Sequence, residues 1–299
     1  MADLRRLWKI ADERGFHWCS VWDHLYSVSD LTDPAKPAFE GVATMAALAA
    51  ETRRVRVGCL VFCVAYRPLG VLAKAAVTID HVSGGRCELG LGAGWNEAEP
   101  RAFGMAFPSA IGPRLDLLEE SAIVLRRLFD GERVTFRGRQ LNLTDALCEP
   151  RPVQPRLRLW IGGQGEKRML RIVARHADGW NVPFLAPEIY AQRREVLDRW
   201  CERERRDPAA ITRTVNLGLA IGSDTSAVAR QEENLRLMFG PMTDFVRPGI
   251  LVGTPQQVVD RIGEYTRAGA EWVILALRAP FDWAGLDLFI RDVMPVFAG

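Results

Sequence analysis

Apolar residues recur along the chain in two alternating rhythms, one of a helix and one of a strand. Leu4, Leu7, Trp8 and Ala11 keep helical spacing over residues 2–15, and Gly15 stands where a helix C-cap belongs. Residues 16–22 (FHWCSVW) form a short β-rich run. An Ala-rich helical stretch covers 39–51. Residues 55–64 are a nearly unbroken apolar run, as expected of a strand buried on both faces. Pro68 suits the first turn of the next helix, which runs through Ile79 and ends by the Ser83-Gly84-Gly85 turn. A strand at 87–91 and an amphipathic helix at 115–129 follow. Further on, strands at 157–161, 179–182, 215–221 and 272–277 are interleaved with helices at 165–176, 187–206, 225–238, 255–269 and 286–297.

Repeated βα units predict an α/β fold with parallel strands and right-handed helical crossovers. Seven strands followed by helices suit a (β/α)8 TIM barrel, one domain spanning 1–299, better than a doubly wound sheet. The chain opens on a helix, so the barrel is expected to lack its first strand. Either the natural start lies upstream, or a gap separates the strands at 16–22 and 272–277. Residues 131–156 break the rhythm: GERVTFRGRQLNL reads as a hairpin and runs into the Pro-rich EPRPVQPR, an inserted excursion from the scaffold.

Composition narrows the class. Lys plus Arg number 39 against 37 Asp plus Glu, a formal charge of +2, which suits neither a nucleic-acid groove nor a polybasic membrane anchor. No apolar run reaches membrane length, and the first residues lack the apolar core of a secretion signal, so a cytoplasmic protein is expected. Cys19, Cys59, Cys63, Cys87, Cys148 and Cys201 follow no metal-ligand rhythm. They read as buried free thiols, with no metal site.

In a barrel of this type chemistry gathers at the C-terminal strand ends. The strand at 16–22 leads into Trp22-Asp23-His24, an acid and a histidine able to tune proton transfer near neutral pH. The plain alternative is a capping Asp and a structural His. The run Cys59-Leu60-Val61-Phe62-Cys63 can present a flat apolar wall to a ring system, or be ordinary core. Gly90, Gly92 and Gly94 alternate where a ligand or another backbone must come close, without the spacing of a dinucleotide fingerprint. Gly162-Gly163-Gln164-Gly165-Glu166-Lys167-Arg168 leads into a helix, and free amides at a helix start form an anion site to which Lys167 and Arg168 add charge. Residues 223–225 and 253–255 read as N-cap turns, with Thr254 capping. There is no nucleophile elbow, HExxH or paired CxxC, so hydrolase and zinc-enzyme readings lack support.

Four segments, taken in order, resemble one family: SVWDHL at 20–25, YRPLGVLAKAAVTIDHVSGGRCELGLGAGWNEAE at 66–99, LRLWIGGQGEKRMLRIVARHADGWN at 157–181 and VGTPQQVVDRIGEYTRAGAEWVIL at 252–275. From about residue 2 to 297 the chain resembles the bacterial luciferase-like superfamily, closest to its branch that depends on the deazaflavin coenzyme F420.

The resemblance implies a barrel with an isoalloxazine-like ring over the strand ends. It implies His24 as general acid/base, with Asp23 orienting it or hydrogen-bonding the ring. Cofactor contacts fall on Cys59, Leu60 and Cys63, with a non-prolyl cis bond mapped on Cys59-Leu60. They continue on Ala93, Gly94 and Asn96 beside the ring, and on Gly162, Gly163, Gly165, Glu166 and Lys167 around its phosphate. The hairpin at 131–156 matches a variable segment that helps cover the cofactor. Two departures stand out. The family's first strand and its active-site residue are absent, and Trp95 stands where sugar-phosphate dehydrogenases carry a catalytic Glu, which argues against a sugar-phosphate substrate. The implied reaction is F420-dependent hydride transfer to or from a small organic molecule. The alternatives are an FMN-dependent two-component monooxygenase and a non-catalytic cofactor-binding relative. A homodimer and a flavin or F420 reductase partner are compatible with this reading.

Overall fold

The structure, a computed structural model, describes residues 1–27 and 37–297. Helix α1 (Ala2–Glu13) comes first, followed by β1 (Trp18–Val21), α2 (Gly41–Glu51), β2 (Arg56–Cys63), α3 (Leu69–Ser83) and β3 (Cys87–Gly92). A short α4 (Ala98–Ala102) and the long α5 (Ile111–Phe129) precede the hairpin of β4 (Val134–Arg137) and β5 (Asn142–Ala146). The scaffold resumes with β6 (Arg158–Gly162), α6 (Met169–His176), β7 (Gly179–Pro183), α7 (Pro187–Arg203) and β8 (Thr212–Ile221). Helices α8 (Thr225–Phe239) and α9 (Thr243–Val246) lead to β9 (Ile250–Gly253) and α10 (Pro255–Arg267). The chain then runs through β10 (Trp272–Leu275), α11 (Trp283–Asp292) and α12 (Met294–Phe297).

The parallel strands run β1-β2-β3-β6-β7-β8-β10, and β9 pairs with the C-terminal half of β8. This is the α/β barrel expected from the βα repetition, but the described sheet has eight strands rather than the seven expected, because β9 ahead of α10 reads in the sequence only as a capping turn. The ends of the path, β1 and β10, are not joined by a ladder among the described residues. Side chains meet there instead: His17 and Trp272 have ring centroids 4.6 Å apart, and Trp18, Trp160 and Trp272 form a cluster at 4.7 to 6.2 Å. The opening segment is a helix, as its spacing predicts, and contributes no strand to this seam.

Local chemistry explains the element ends. All six residues of β3 are buried, which suits a strand with neighbours on both edges and helices outside. Gly84, at φ 63°, closes α3 in the left-handed conformation that a side chain disfavours. Asp224 caps α8 by accepting from the Ala227 amide, and Thr254 with Gln257 forms a capping box that opens α10.

Four expectations need correction. The non-prolyl cis bond is Leu60–Val61, one residue beyond Cys59-Leu60, inside a register shift of β2 against β3 between Cys59 and Phe62. Helix α6 starts at Met169 rather than Gly165, because Gly163 at φ 140° and a wide turn from the Leu170 amide to the Gly165 carbonyl (3.0 Å) take up the intervening residues. Strand β10 stops at Leu275. The last helix divides at Val293, since Pro295 cannot donate to the preceding turn.

Candidate active site

The C-terminal end of β1 turns Trp22, Asp23 and His24 onto the face where the strands end. Asp23 does not meet His24. Its carboxylate accepts from both terminal nitrogens of Arg67 (2.9 and 2.6 Å) and from the Cys63 amide (2.9 Å), and it is 4% exposed. Burial pushes its carboxyl up from the ordinary value, and the Arg67 pairing only partly offsets that. Asp23 therefore ties the end of β1 to the end of β2.

The carboxylate against His24 belongs to Glu99, on α4. Glu99 Oε2 lies 2.9 Å from His24 Nδ1 and accepts from the Tyr66 hydroxyl at 2.7 Å. Oε1 accepts from the amides of Leu25 (2.9 Å) and Tyr26 (3.0 Å). The Glu99 side chain is fully buried, while His24 keeps about a fifth of its side chain exposed, 22%. Burial pushes the Glu99 carboxyl up, but His24, the Tyr26 amide and Tyr66 outweigh it and hold the acid below its ordinary value. Burial and Glu99 push the Tyr66 phenol well up, so Tyr66 stays a donor. His24 sits between aromatic rings, with Trp95 at 5.6 Å and Trp22 at 6.2 Å between centroids.

The glycines of β3 and β6 turn out to serve Val61. A side chain on Gly92 would come 2.5 Å from Val61 Cγ2, and one on Gly162 would come 3.0 Å from Cγ1. Gly90 instead admits the Cys59 carbonyl, the close backbone approach that alternating glycines suggest. Leu60 and Val61 are half-buried, an apolar surface at the barrel mouth. Cys59 is wholly buried and Cys63 is 6% exposed, with burial pushing both thiols up, Cys63 to about 12. Ala93 is buried, Gly94 lies at φ 74° with its α-carbon packed toward Cys63 and Phe107, and Asn96 folds back to accept from the Ala98 amide at 2.9 Å.

The 162–168 loop divides its charges. Arg168 is committed to Asp116 (2.5 Å) and the Gly112 carbonyl (3.2 Å). Glu166 pairs with Arg193, and its carbonyl accepts from the Trp200 indole at 2.7 Å. Lys167 is exposed, and no described residue engages it. The amides of Gln164 to Arg168 find no acceptor among the described residues, while Gly163 donates to the Asn181 carbonyl at 3.0 Å. Among the described residues no group of three or more His, Cys, Asp or Glu is placed to hold a metal ion.

Sequence reasoning missed Glu99, Tyr66 and Arg67. Glu99 stands in a five-residue helix too short for periodicity to reveal, and its partners are 33 and 75 residues away. A weak signal existed in NEAE at 96–99, where one of two acids falls on the inward face.

A family model described as luciferase-like monooxygenase matches residues 1–247. The chain belongs to this family. An uncharacterised protein of Mycobacterium tuberculosis (strain ATCC 25618 / H37Rv) is 33% identical over 138 residues, 46% of this chain. The chain spans about half the length of that relative, 47%. The pyrimidine monooxygenase RutA of Cronobacter turicensis is 34% identical over 293 residues, covering 86% of this chain and 75% of the relative. In fold, an F420-dependent secondary alcohol dehydrogenase in complex with an F420-acetone adduct superposes with a TM-score of 0.85 at 19% identity, covering 99% of this chain and 94% of that one. The F420-dependent tetrahydromethanopterin reductase of Methanopyrus kandleri gives 0.81 at 20% identity, covering 99% and 95%. No helix among the described residues is long and apolar enough to cross a membrane.

Proposed function

We propose that this luciferase-like enzyme uses coenzyme F420 to move a hydride to or from a small organic substrate, with His24 as the proton donor and acceptor. The observation that carries the reading is the His24–Glu99 pair. A buried carboxylate on Nδ1 fixes the neutral imidazole with its proton on that nitrogen, so Nε2 is left for the substrate. Glu99 accepts four hydrogen bonds and stays ionised, so it stabilises the imidazolium when His24 takes a proton. Tyr66 and the Asp23–Arg67 clamp keep the pair in place.

The residues present fit a flavin-like ring with a phosphate. The free amides of Gln164 to Arg168 and the unpaired Lys167 are the donor set an anion takes, and Leu60 with Val61 offers an apolar surface for a ring. When bound, the cofactor supplies the hydride chemistry, and the protein supplies position and electrostatics. Cys59 and Cys63 support the wall from behind, Ala93 and Gly94 line the turn beside it, and Gly162, Gly163, Gly165 and Glu166 shape the phosphate loop.

A second reading, an FMN-dependent monooxygenase with a flavin reductase as partner, draws support from the pyrimidine monooxygenases that align along most of the chain. Titration of the protein with F420 and with FMN, followed by absorbance, tests the choice. Tight F420 binding with turnover indifferent to oxygen is expected. FMN binding with oxygen uptake overturns F420 in favour of the second reading.

A further inference from the structure

Arg278 follows β10 by three residues, on the face that carries His24. Its guanidinium carbon lies 5.4 Å from the Trp22 ring centroid and 4.6 Å from that of Phe239. Nη1 is shielded from solvent and has no hydrogen-bond partner. Among the described residues no carboxylate pairs with Arg278, and burial alone lowers the guanidinium to about 10. Half-buried Arg86 and Arg206 also lack a carboxylate but donate to backbone carbonyls, whereas half-buried Arg278 has neither kind of acceptor among the described residues. Taking a cation out of water without a counter-charge is costly, and stacking on two rings offsets only part of that. Nε and Nη2 are not closed off as Nη1 is, and that edge can take a planar carboxylate with two parallel bonds.

We infer that Arg278 is the anchor for a carboxylate on the substrate, and that the enzyme acts on small organic acids. This rests on the redox reading above, because it places the reacting part of the substrate at His24. Trp22 lies against both residues, 6.2 Å from the His24 ring and 5.4 Å from Arg278, which gathers the two around one shared ring. The anion is not the cofactor phosphate of the 162–168 loop. That loop follows β6, and β10 is three strands further along the sheet path. Phe239 ends α8 and is 2% exposed among Ala220, Leu235, Val246 and Ile250, so the excursion after β8 holds one of the rings that position the guanidinium.

The test uses benzoate as the probe and benzamide as its neutral counterpart, read by thermal shift and tryptophan fluorescence on the full chain. Benzoate should raise the Tm and bind at least tenfold more tightly than benzamide. Arg278→Met should lose about ten- to hundredfold in benzoate affinity without lowering the Tm, since it removes an uncompensated cation. Arg278→Lys should fall between. Equal binding of benzoate and benzamide, benzoate affinity unchanged in Arg278→Met, or a lowered Tm in Arg278→Met with no benzoate response in the wild type each overturns the proposal. F420 and FMN titrations on Arg278→Met separate the two readings. Cofactor affinity within about twofold of wild type is expected, and a selective loss there assigns the anion to the cofactor and overturns the substrate role. If neither cofactor binds the wild type, the redox reading fails while the benzoate comparison still reports on Arg278.

Discussion

The Nδ1 of His24 lies 2.9 Å from Oε2 of Glu99, a carboxylate 75 residues further along the chain and closed off from solvent. That contact turns a histidine at a strand exit into one with a fixed tautomer. It also makes α4, a helix of five residues, part of the site.

Both members of the pair should be needed, in different ways. His24→Ala should reduce turnover by roughly 10²–10⁴-fold while cofactor affinity changes little. Glu99→Gln should reduce turnover by about 10- to 100-fold, the usual effect of losing an orienting partner. Nitrogen NMR of the imidazole should show the Nδ1–H tautomer in the wild type and a mixture in Glu99→Gln. An unchanged tautomer with an unchanged rate would reduce Glu99 to a structural acceptor.

The two neighbouring cations of the 162–168 loop should separate. Lys167→Glu should weaken a phosphorylated cofactor about ten- to hundredfold and leave a ring fragment without phosphate unaffected. Arg168→Ala should cost about 0–1 kcal/mol of stability, because its guanidinium is spent on Asp116 at a partly exposed site. Isothermal titration with F420 and with its deazaflavin ring fragment lacking phosphate, beside thermal melts, distinguishes the cases. Equal loss for both ligands in Lys167→Glu removes the lysine from the phosphate site.

Gly92→Ala should cost about 1–3 kcal/mol, since the new methyl group meets Val61 Cγ2 at 2.5 Å. Adding Val61→Ala should recover much of that loss. Gly90→Ala should not be rescued, because its obstacle is the Cys59 carbonyl. Urea denaturation of the single and double variants measures the coupling, and strict additivity of Gly92→Ala and Val61→Ala would contradict the packing.

Acid should expose a different acid pair. Asp178 accepts from the Leu159 amide (2.9 Å), Arg156 (2.8 Å) and Arg126 (2.5 Å). Burial pushes its carboxyl up, yet these partners hold it below the ordinary value. An acid lowered in this way stabilises the fold above its unfolded value, about pH 4, and the contribution is lost as pH falls through the folded value. Asp178→Asn should cost about 1–3 kcal/mol at pH 7, because it removes the charge paired with half-buried Arg126 and with exposed Arg156. Its stability should also fall less steeply than the wild type's below pH 4. A parallel acid slope in the two proteins would remove Asp178 from the effect.

The fold was legible because its signals are local. Glycine after an amphipathic run marked the end of α1 and of α3, and Thr254-Pro255 marked the start of α10. The hairpin at 134–146 stood out because it broke the βα rhythm. The site was legible only in part. Asp23 and His24 could be picked from their place at a strand exit, but adjacency in sequence suggested that they act on each other. Successive residues leaving a strand point apart, so each found a distant partner: Arg67 for Asp23 and Glu99 for His24. Arg278 gave no signal, because an arginine without a partner is visible only once its neighbours are known.

The seam between β1 and β10 has a bearing on how the protein answers a ligand. Strands joined by rings instead of a hydrogen-bond ladder should part locally at lower free energy than β3 and β6, and their amides should exchange with solvent sooner. His24 follows one of these strands and Arg278 the other. A molecule held by both residues is a tie across a line without a ladder among the described residues, so its binding should appear as slowed amide exchange along β1 and β10 together, far beyond the atoms it touches.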